Sequence, residues 1–196
     1  MDIYERREVV EALATAVDAK DGEVFGHSHR VADLAVLLGQ EVGLAGERLH
    51  QLYVAAHLHD IGKIGIPDAI LHKAGPLSGG EWRRIQAHPE IGERIVRSMS
   101  AFAATATVIR HHHEKFNGSG YPDGLAGGAI LLEARIIAIA DAFDAMTTDR
   151  PYRKCLAAGE ALQEVLQCAG GHFDPTLATI FVEIMRREPV QRKEVG

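Results

Sequence analysis

An all-α bundle is the fold this sequence predicts. Apolar residues recur at helical spacing along most of the chain, and no run of strand length alternates apolar with polar residues. Hydrophobic residues at 46% and charged residues at 24% match an ordinary globular composition, and 196 residues suffice for one core that needs no disulfides.

The elements follow in order. Residues about 3–20 form a first helix with Val10, Leu13 and Val17 on one face, ended by Asp21-Gly22. This segment could be a coiled-coil stub, a contact within a homodimer or a first bundle helix, and the last is the reading adopted. A second helix carries Val31, Leu34, Ala35 and Leu38 as a buried stripe and stops near Gly43. The third, about 46–60, has Leu49, Leu52, Tyr53 and Ala56 as its stripe, which continues onto His59 and Asp60. Ser78 and Glu81 have capping-box spacing and open a helix holding Trp82 and Ile85, with a break or restart at Pro89. A helix over about 101–113 puts Phe102, Ile109 and His113 on nearly one face. Residues 114–129 contain Asn117-Gly118, Gly120 and Pro122 and read as a long loop, a length that usually signals function. Leu132 to Met146 is apolar nearly all round, which predicts a helix buried on every side, with Asp141 and Asp144 inside it. Two last helices, about 157–169 and 175–187, flank Gly170-Gly171, and Asp174-Pro175 is a cap and first-turn pair. The expected organisation is a first helix over 1–20, one compact domain over 21–187 and a polar tail over 188–196.

A net charge of −6 lacks the clustered Lys and Arg that binding a long nucleic acid requires. An anionic substrate would therefore need local positive charge from elsewhere. The 11 histidines suggest its source, since neutral imidazole is the commonest protein ligand of transition metals. Cys155 and Cys168 read as thiols rather than a disulfide, which suits a reducing compartment. The segment Met1 to Glu11 is charged throughout, unlike a signal peptide. The most apolar run, Ala129 to Ala140, is broken by Glu133 and Arg135, well short of the roughly 20 apolar residues that span a bilayer. A cytoplasmic protein without membrane insertion is the expectation.

His27, His59, Asp60, His88, His112, His113 and Asp141 all fall at or near buried faces or ends of different predicted helices. Bundles build metal sites from facing side chains in this way. Asp141 is the sharpest case, because an ionised carboxylate on an apolar helix costs several kcal/mol unless paired or metal-bound. Its partner is a metal or, alternatively, Arg135 or Arg150. Imidazole and carboxylate ligands without cysteine suit Fe or Mn, and less decisively Zn.

The segments FGHSHRV (25–31), HDIGKIGIPDAIL (59–71), HPEIG (88–92), HHEKFNGSGYPDGL (112–125) and EARIIAIADAFDAMTTDRPYRK (133–154) together resemble the HD-GYP family, in the family's order, over about residues 21–180. The resemblance implies an all-α HD-domain bundle with two or three divalent ions in its core and a GYP loop. It further implies hydrolysis of cyclic di-GMP to pGpG, in some members on to GMP. The implied metal ligands are His27, His59, Asp60, His88, His112, His113 and Asp141. Glu23 matches the extra carboxylate of members with three metals, or is a solvated first-turn acid. Lys63 matches a lysine that contacts the scissile phosphate. In the Gly120-Tyr121-Pro122 triplet, glycine would let backbone approach a ligand and Tyr121 would offer a ring for a guanine. Arg150 and Arg153 match basic positions near the ligand phosphates. Asn117 departs from the family's usual Asp before GSGYP, which puts any salt bridge of that loop in doubt.

The mechanism implied is in-line attack on phosphorus by a hydroxide bridging two metals, with Asp60 holding the ions and Lys63 offsetting charge. Lys63 is expected at a frayed helix end, swinging over the centre without burying its charge. Two alternatives stay open: hydrolysis of another cyclic dinucleotide such as cyclic GMP-AMP, and a catalytically silent module that senses the messenger or docks a diguanylate cyclase through the loop.

Overall fold

The computed structural model describes residues 3–22, 26–149 and 154–187. Among these, ten α-helices succeed one another: α1 (Ile3–Asp21), α2 (His27–Glu41), α3 (Gly46–Leu58), α4 (Asp68–Leu71), α5 (Gly79–Ile85), α6 (His88–Arg97), α7 (Ala106–His111), α8 (Leu132–Thr147), α9 (Ala158–Gln167) and α10 (Pro175–Arg187). Short 3₁₀ turns follow α3 at Ile61–Gly65, precede α7 at Ala103–Thr105 and precede α8 at Gly127–Ala129. The only β pairing among the described residues is two isolated bridges, Asn117 with Ala126 and Ala169 with Phe173.

The predicted stripes are the core. Val10, Val17, Val31, Ala35, Leu38, Leu52, Ala56 and Ile109 are buried, and Leu13, Leu34, Leu49 and Tyr53 pack partly buried around them. Helix α2 packs on α3 and α8, α6 on α7 and the Ile61–Gly65 turn, and α1 on that turn, α3 and α2. The last two helices, α9 and α10, add Val165, Phe181 and Val182 to the same core. The Ser78–Glu81 capping box opens α5, and Asp174 Oδ1 accepts from the Thr176 and Leu177 N–H groups to cap α10.

Three expectations need correcting. The helix expected over 101–113 is a 3₁₀ turn followed by the short α7, so Phe102 precedes it and His112 and His113 lie beyond its end. Helix α3 stops at Leu58, and the chain tightens into 3₁₀ geometry just after Asp60. Helix α8 is not enclosed on every side: Arg135, Ala138, Asp141, Ala142 and Ala145 form a half-buried stripe at i, i+3, i+4 spacing. Full burial falls instead on Asp144.

Two local features bring the site together. A Cβ on Gly62 would lie 1.9 Å from the His88 carbonyl oxygen and 2.6 Å from the Gly92 nitrogen, so the turn after Asp60 and the start of α6 meet backbone to backbone. At the start of α2 no local side chain caps the helix. The buried carboxylate of Asp18 from α1 does so, accepting from Ser28 Oγ at 2.6 Å and from the Ser28 N–H at 3.3 Å.

Candidate metal centre

His59, His88 and His112 share one construction. Each sits just at or past a helix or turn boundary, and each Nδ1 meets the carbonyl three residues earlier: Ala56 at 2.8 Å, Ile85 at 2.7 Å and Ile109 at 2.6 Å. A carbonyl only accepts, so Nδ1 is the protonated nitrogen in each neutral ring and Nε2 carries a lone pair directed inward. His88 Nε2 and His112 Nε2 then face each other at 3.3 Å, lone pair to lone pair, an arrangement a cation between them would satisfy. The buried His59 Nε2 has no hydrogen-bond partner. Among the described residues only His111 Nδ1 shares that condition.

Asp60 joins the groups. Its Oδ1 lies 3.2 Å from His88 Nε2 and 4.0 Å from His112 Nε2, while Oδ2 lies 3.3 Å from His59 Nε2. One ligand atom from each of Asp60, His88, His112 and His113 falls within 4.8 Å of the others, as does one from each of His27, His59 and Asp60. Asp141 stands on the His27 side, its Oδ1 3.5 Å from His27 Nε2, and belongs to neither compact group. The donors are thus mixed imidazole and carboxylate, in two clusters that share one carboxylate, and they fit divalent cations.

The electrostatics agree. Burial pushes the Asp60 carboxyl upward, but the Lys63 ammonium and the neighbouring imidazoles hold it well below the ordinary range. Burial would lower His59, yet Asp60 beside it raises it to about 9, so without a bound cation its Nε2 takes up a proton, and a metal ion there would compete with that proton for the same lone pair. Burial and the surrounding imidazoles keep His112 well below its usual value, and burial with His88 takes His113 down to about 3. Both rings are therefore neutral, the state that ligates metal.

Lys63 is not the exposed, swinging side chain expected. It is only 15% exposed, with Nζ 2.6 Å from Asp21 Oδ2 and 2.8 Å from Asp60 Oδ2. Gly120 also acts differently from expectation. A Cβ there would lie 2.3 Å from the Lys115 nitrogen and 2.6 Å from the His113 oxygen, so the missing side chain admits the chain's own backbone rather than a ligand. Tyr121 packs its ring 5.0 Å from that of His113, and Pro122 follows through a cis peptide bond. Asn117 uses its Oδ1 locally, accepting from the Ser119 N–H and Oγ. Arg135 pairs with Asp174, not Asp141. Glu23, Arg150 and Arg153 lie outside the described residues.

Sequence reasoning missed three residues. Asp144 contacts His27 Nδ1 at 2.7 Å and accepts from Arg30. The burial argument applied to Asp141 holds more strongly for this residue one turn later. Glu114 is buried and accepts the N–H groups of Asp123, Gly124 and Leu125, so one carboxylate shapes the tip of the GYP loop. Asp21, read only as a helix stop, holds Lys63. Cys155 and Cys168 are free thiols, and no helix of the described residues is long and apolar enough to cross a membrane.

The fold and the cluster define an all-α bundle with a buried His/Asp centre suited to divalent metal. The model of the HD domain matches residues 11–177, and the chain belongs to that family, as an HD-GYP domain. It is 41% identical over 177 residues to the cyclic di-GMP phosphodiesterase response regulator RpfG of Xanthomonas campestris, covering 89% of this chain and 47% of that protein. It is 43% identical over 154 residues to 3'3'-cGAMP-specific phosphodiesterase 3 of Vibrio cholerae, covering 79% of this chain and 34% of that one. The crystal structure of a cyclic GMP-AMP-specific phosphodiesterase of V. cholerae superposes with a TM-score of 0.75 at 25% identity, covering 93% of this chain and 49% of that one. The chain spans about half the length, or less, of these relatives.

Proposed function

We propose that this chain is a metal-dependent phosphodiesterase that hydrolyses cyclic di-GMP to pGpG. The observation that carries the proposal is Asp60, which turns one carboxylate oxygen toward each of two imidazole groups. The named activities of its relatives support the same reading. His27, His59, Asp60 and Asp141 would hold one ion, and Asp60, His88, His112 and His113 a second. Glu23 would add a third. Fe or Mn suits the donor set.

When bound, such ions lower the pKa of water and polarise a phosphoryl oxygen. Asp60 fixes the common edge of the two groups. Lys63 holds an ammonium at that edge, where it offsets charge developing on the phosphoryl group. Burial, with Asp60 and Asp141, pushes the Tyr121 phenol above its ordinary value, so it stays a neutral O–H donor toward a phosphate oxygen rather than a base. Its ring, already against His113, gives a guanine a face to stack on. Arg150 and Arg153 would take the phosphates. A cytoplasmic location, a homodimer and docking of a diguanylate cyclase on the GYP loop complete the reading.

A second substrate has a specific observation behind it: three relatives at 40% identity or more are named as acting on 3'3'-cGAMP. Anaerobically purified protein should carry at least two ions per chain and convert cyclic di-GMP faster than 3'3'-cGAMP, with products resolved as pGpG or GMP by chromatography. Fewer than two ions with no turnover would favour a silent sensor, and faster 3'3'-cGAMP turnover would reassign the substrate. Glu23→Ala should lower the ion count by about one and leave the Asp60 centre loaded. An unchanged count would return Glu23 to the role of a solvated acid.

A further inference from the structure

Three imidazoles of the centre are aimed by carbonyls three residues before them, whereas His27 is aimed differently. It is the first residue of α2, so its own helix has no preceding turn to supply an acceptor. Its Nδ1 instead lies 2.7 Å from Oδ2 of Asp144, 117 residues later on α8. A carboxylate gripped at both oxygens by the Arg30 guanidinium is an acceptor, so Nδ1 is the donor and Nε2 faces Asp141 and the His59–Asp60 group.

Asp144 is itself held. It is 3% exposed, and Arg30, three residues after His27, donates from Nε to Oδ1 at 2.6 Å and from Nη2 to Oδ2 at 3.0 Å. Thr148 Oγ1 adds a longer contact to Oδ1 at 3.4 Å. One helix thus supplies both the imidazole and the guanidinium that grip a single carboxylate of the facing helix.

We propose that Asp144, anchored by Arg30, is the positioning residue of His27, fixing its ring and tautomer for the ion held by His27, His59 and Asp60. This rests on the two-ion reading above. It adds a distinction between the ions. In the group of His88, His112 and His113, the His88 and His112 rings are aimed by backbone carbonyls that no side-chain substitution removes, whereas in the other group the aim of His27 depends on a side-chain pair outside the ligand set. Carboxylate partners of ligating imidazoles characteristically govern metal affinity 10–100-fold.

The test uses the full chain and begins with the unaltered protein, so it does not depend on any variant folding. In ¹⁵N spectra of Zn²⁺-loaded protein, His27 should show a protonated Nδ1 and a ligated Nε2. Ligation through Nδ1 would overturn the proposal. Asp144→Leu should then weaken Mn²⁺ binding at one site 10–100-fold and leave the other within twofold. In its spectra only the His27 pattern should change, while His59, His88 and His112 keep theirs. Arg30→Gln, which leaves the His27–Asp144 contact in place, should weaken the same site by less. Equal losses at both sites, or none, would overturn the assignment of Asp144 alone. Unaltered protein that binds fewer than two Mn²⁺ would instead remove the two-ion reading, and the proposal with it.

Discussion

Lys63 sits between two carboxylates, Asp21 and Asp60, and this placement gives it two duties. Its ammonium neutralises a carboxylate pair in the interior, and on the function proposed above it would also meet a phosphate at the edge of the centre. Lys63→Met keeps the stem and removes the ammonium. Turnover should fall by roughly 10²–10³, the scale of one lost preorganised stabilising group. Stability should fall as well, by about 2–4 kcal/mol in metal-free protein, because a largely buried ion pair is broken with one side left charged. Loading with Mn²⁺ should recover part of that loss, since the ions take over the charge of Asp60 but not that of Asp21. Urea unfolding of both forms measures the difference. A variant as stable as the parent in the metal-free form would show that the Asp21 contact is idle.

At the scale of elements, the GYP loop is ordered by side chains that lie before it in sequence. Glu114 accepts three consecutive backbone N–H groups at 2.7–3.1 Å, and Arg110 clamps Asp123 through Nε and Nη2, both at 2.7 Å. Arg110 also reaches Glu93 on α6, so the loop tip is tied to α7 and α6 together. Glu114→Ala strands three donors around a buried position and should cost about 2–4 kcal/mol, given about 1–3 kcal/mol per buried group left unsatisfied and partial recovery by water. Hydrogen exchange should speed up at Asp123, Gly124 and Leu125, while α2 and α3 stay protected. Uniform acceleration across the chain would mean that Glu114 supports the fold as a whole and not the loop in particular. Asn117 predicts the converse. Among the described residues its Oδ1 serves only Ser119, so Asn117→Asp should leave turnover and stability nearly unchanged.

For the molecule as a whole, the centre is also a staple. Its candidate ligands come from the start of α2, the end of α3, the start of α6, the end of α7 and the middle of α8, five segments that a bound ion would tie together. Ions that bind the folded chain alone stabilise it by about 2.7 kcal/mol at a hundredfold excess over the dissociation constant. For a chain of this length that is roughly 5–10 °C in melting temperature. Chelation should lower the melting temperature by that amount, and Mn²⁺ should restore it. A melting temperature indifferent to chelation and to Mn²⁺ would mean that the folded chain holds no ion, because any ion bound by the folded state alone stabilises it.

What the sequence determined by itself is whatever is written in local spacing. Val31, Ala35 and Leu38 identify α2 because burial repeats every three to four residues, and Ser78 with Glu81 identifies a helix start because both partners of the cap lie within one turn. The candidate ligands were legible for a related reason, since imidazoles at helix ends and a carboxylate on an apolar helix are anomalies within their own segments. The tertiary structure alone decided who faces whom. Whether α8 turns Asp141 or Asp144 fully inward depends on how that helix is rotated against α2, and the rotation is set by packing across the bundle rather than by any neighbour in sequence. Asp144 lies 117 residues from His27, Asp21 lies 42 from Lys63 and Asp18 lies 10 from Ser28. No periodicity records such pairs, because the free energy that fixes them, the cost of leaving a buried charge or N–H alone, exists only once the helices have closed around it.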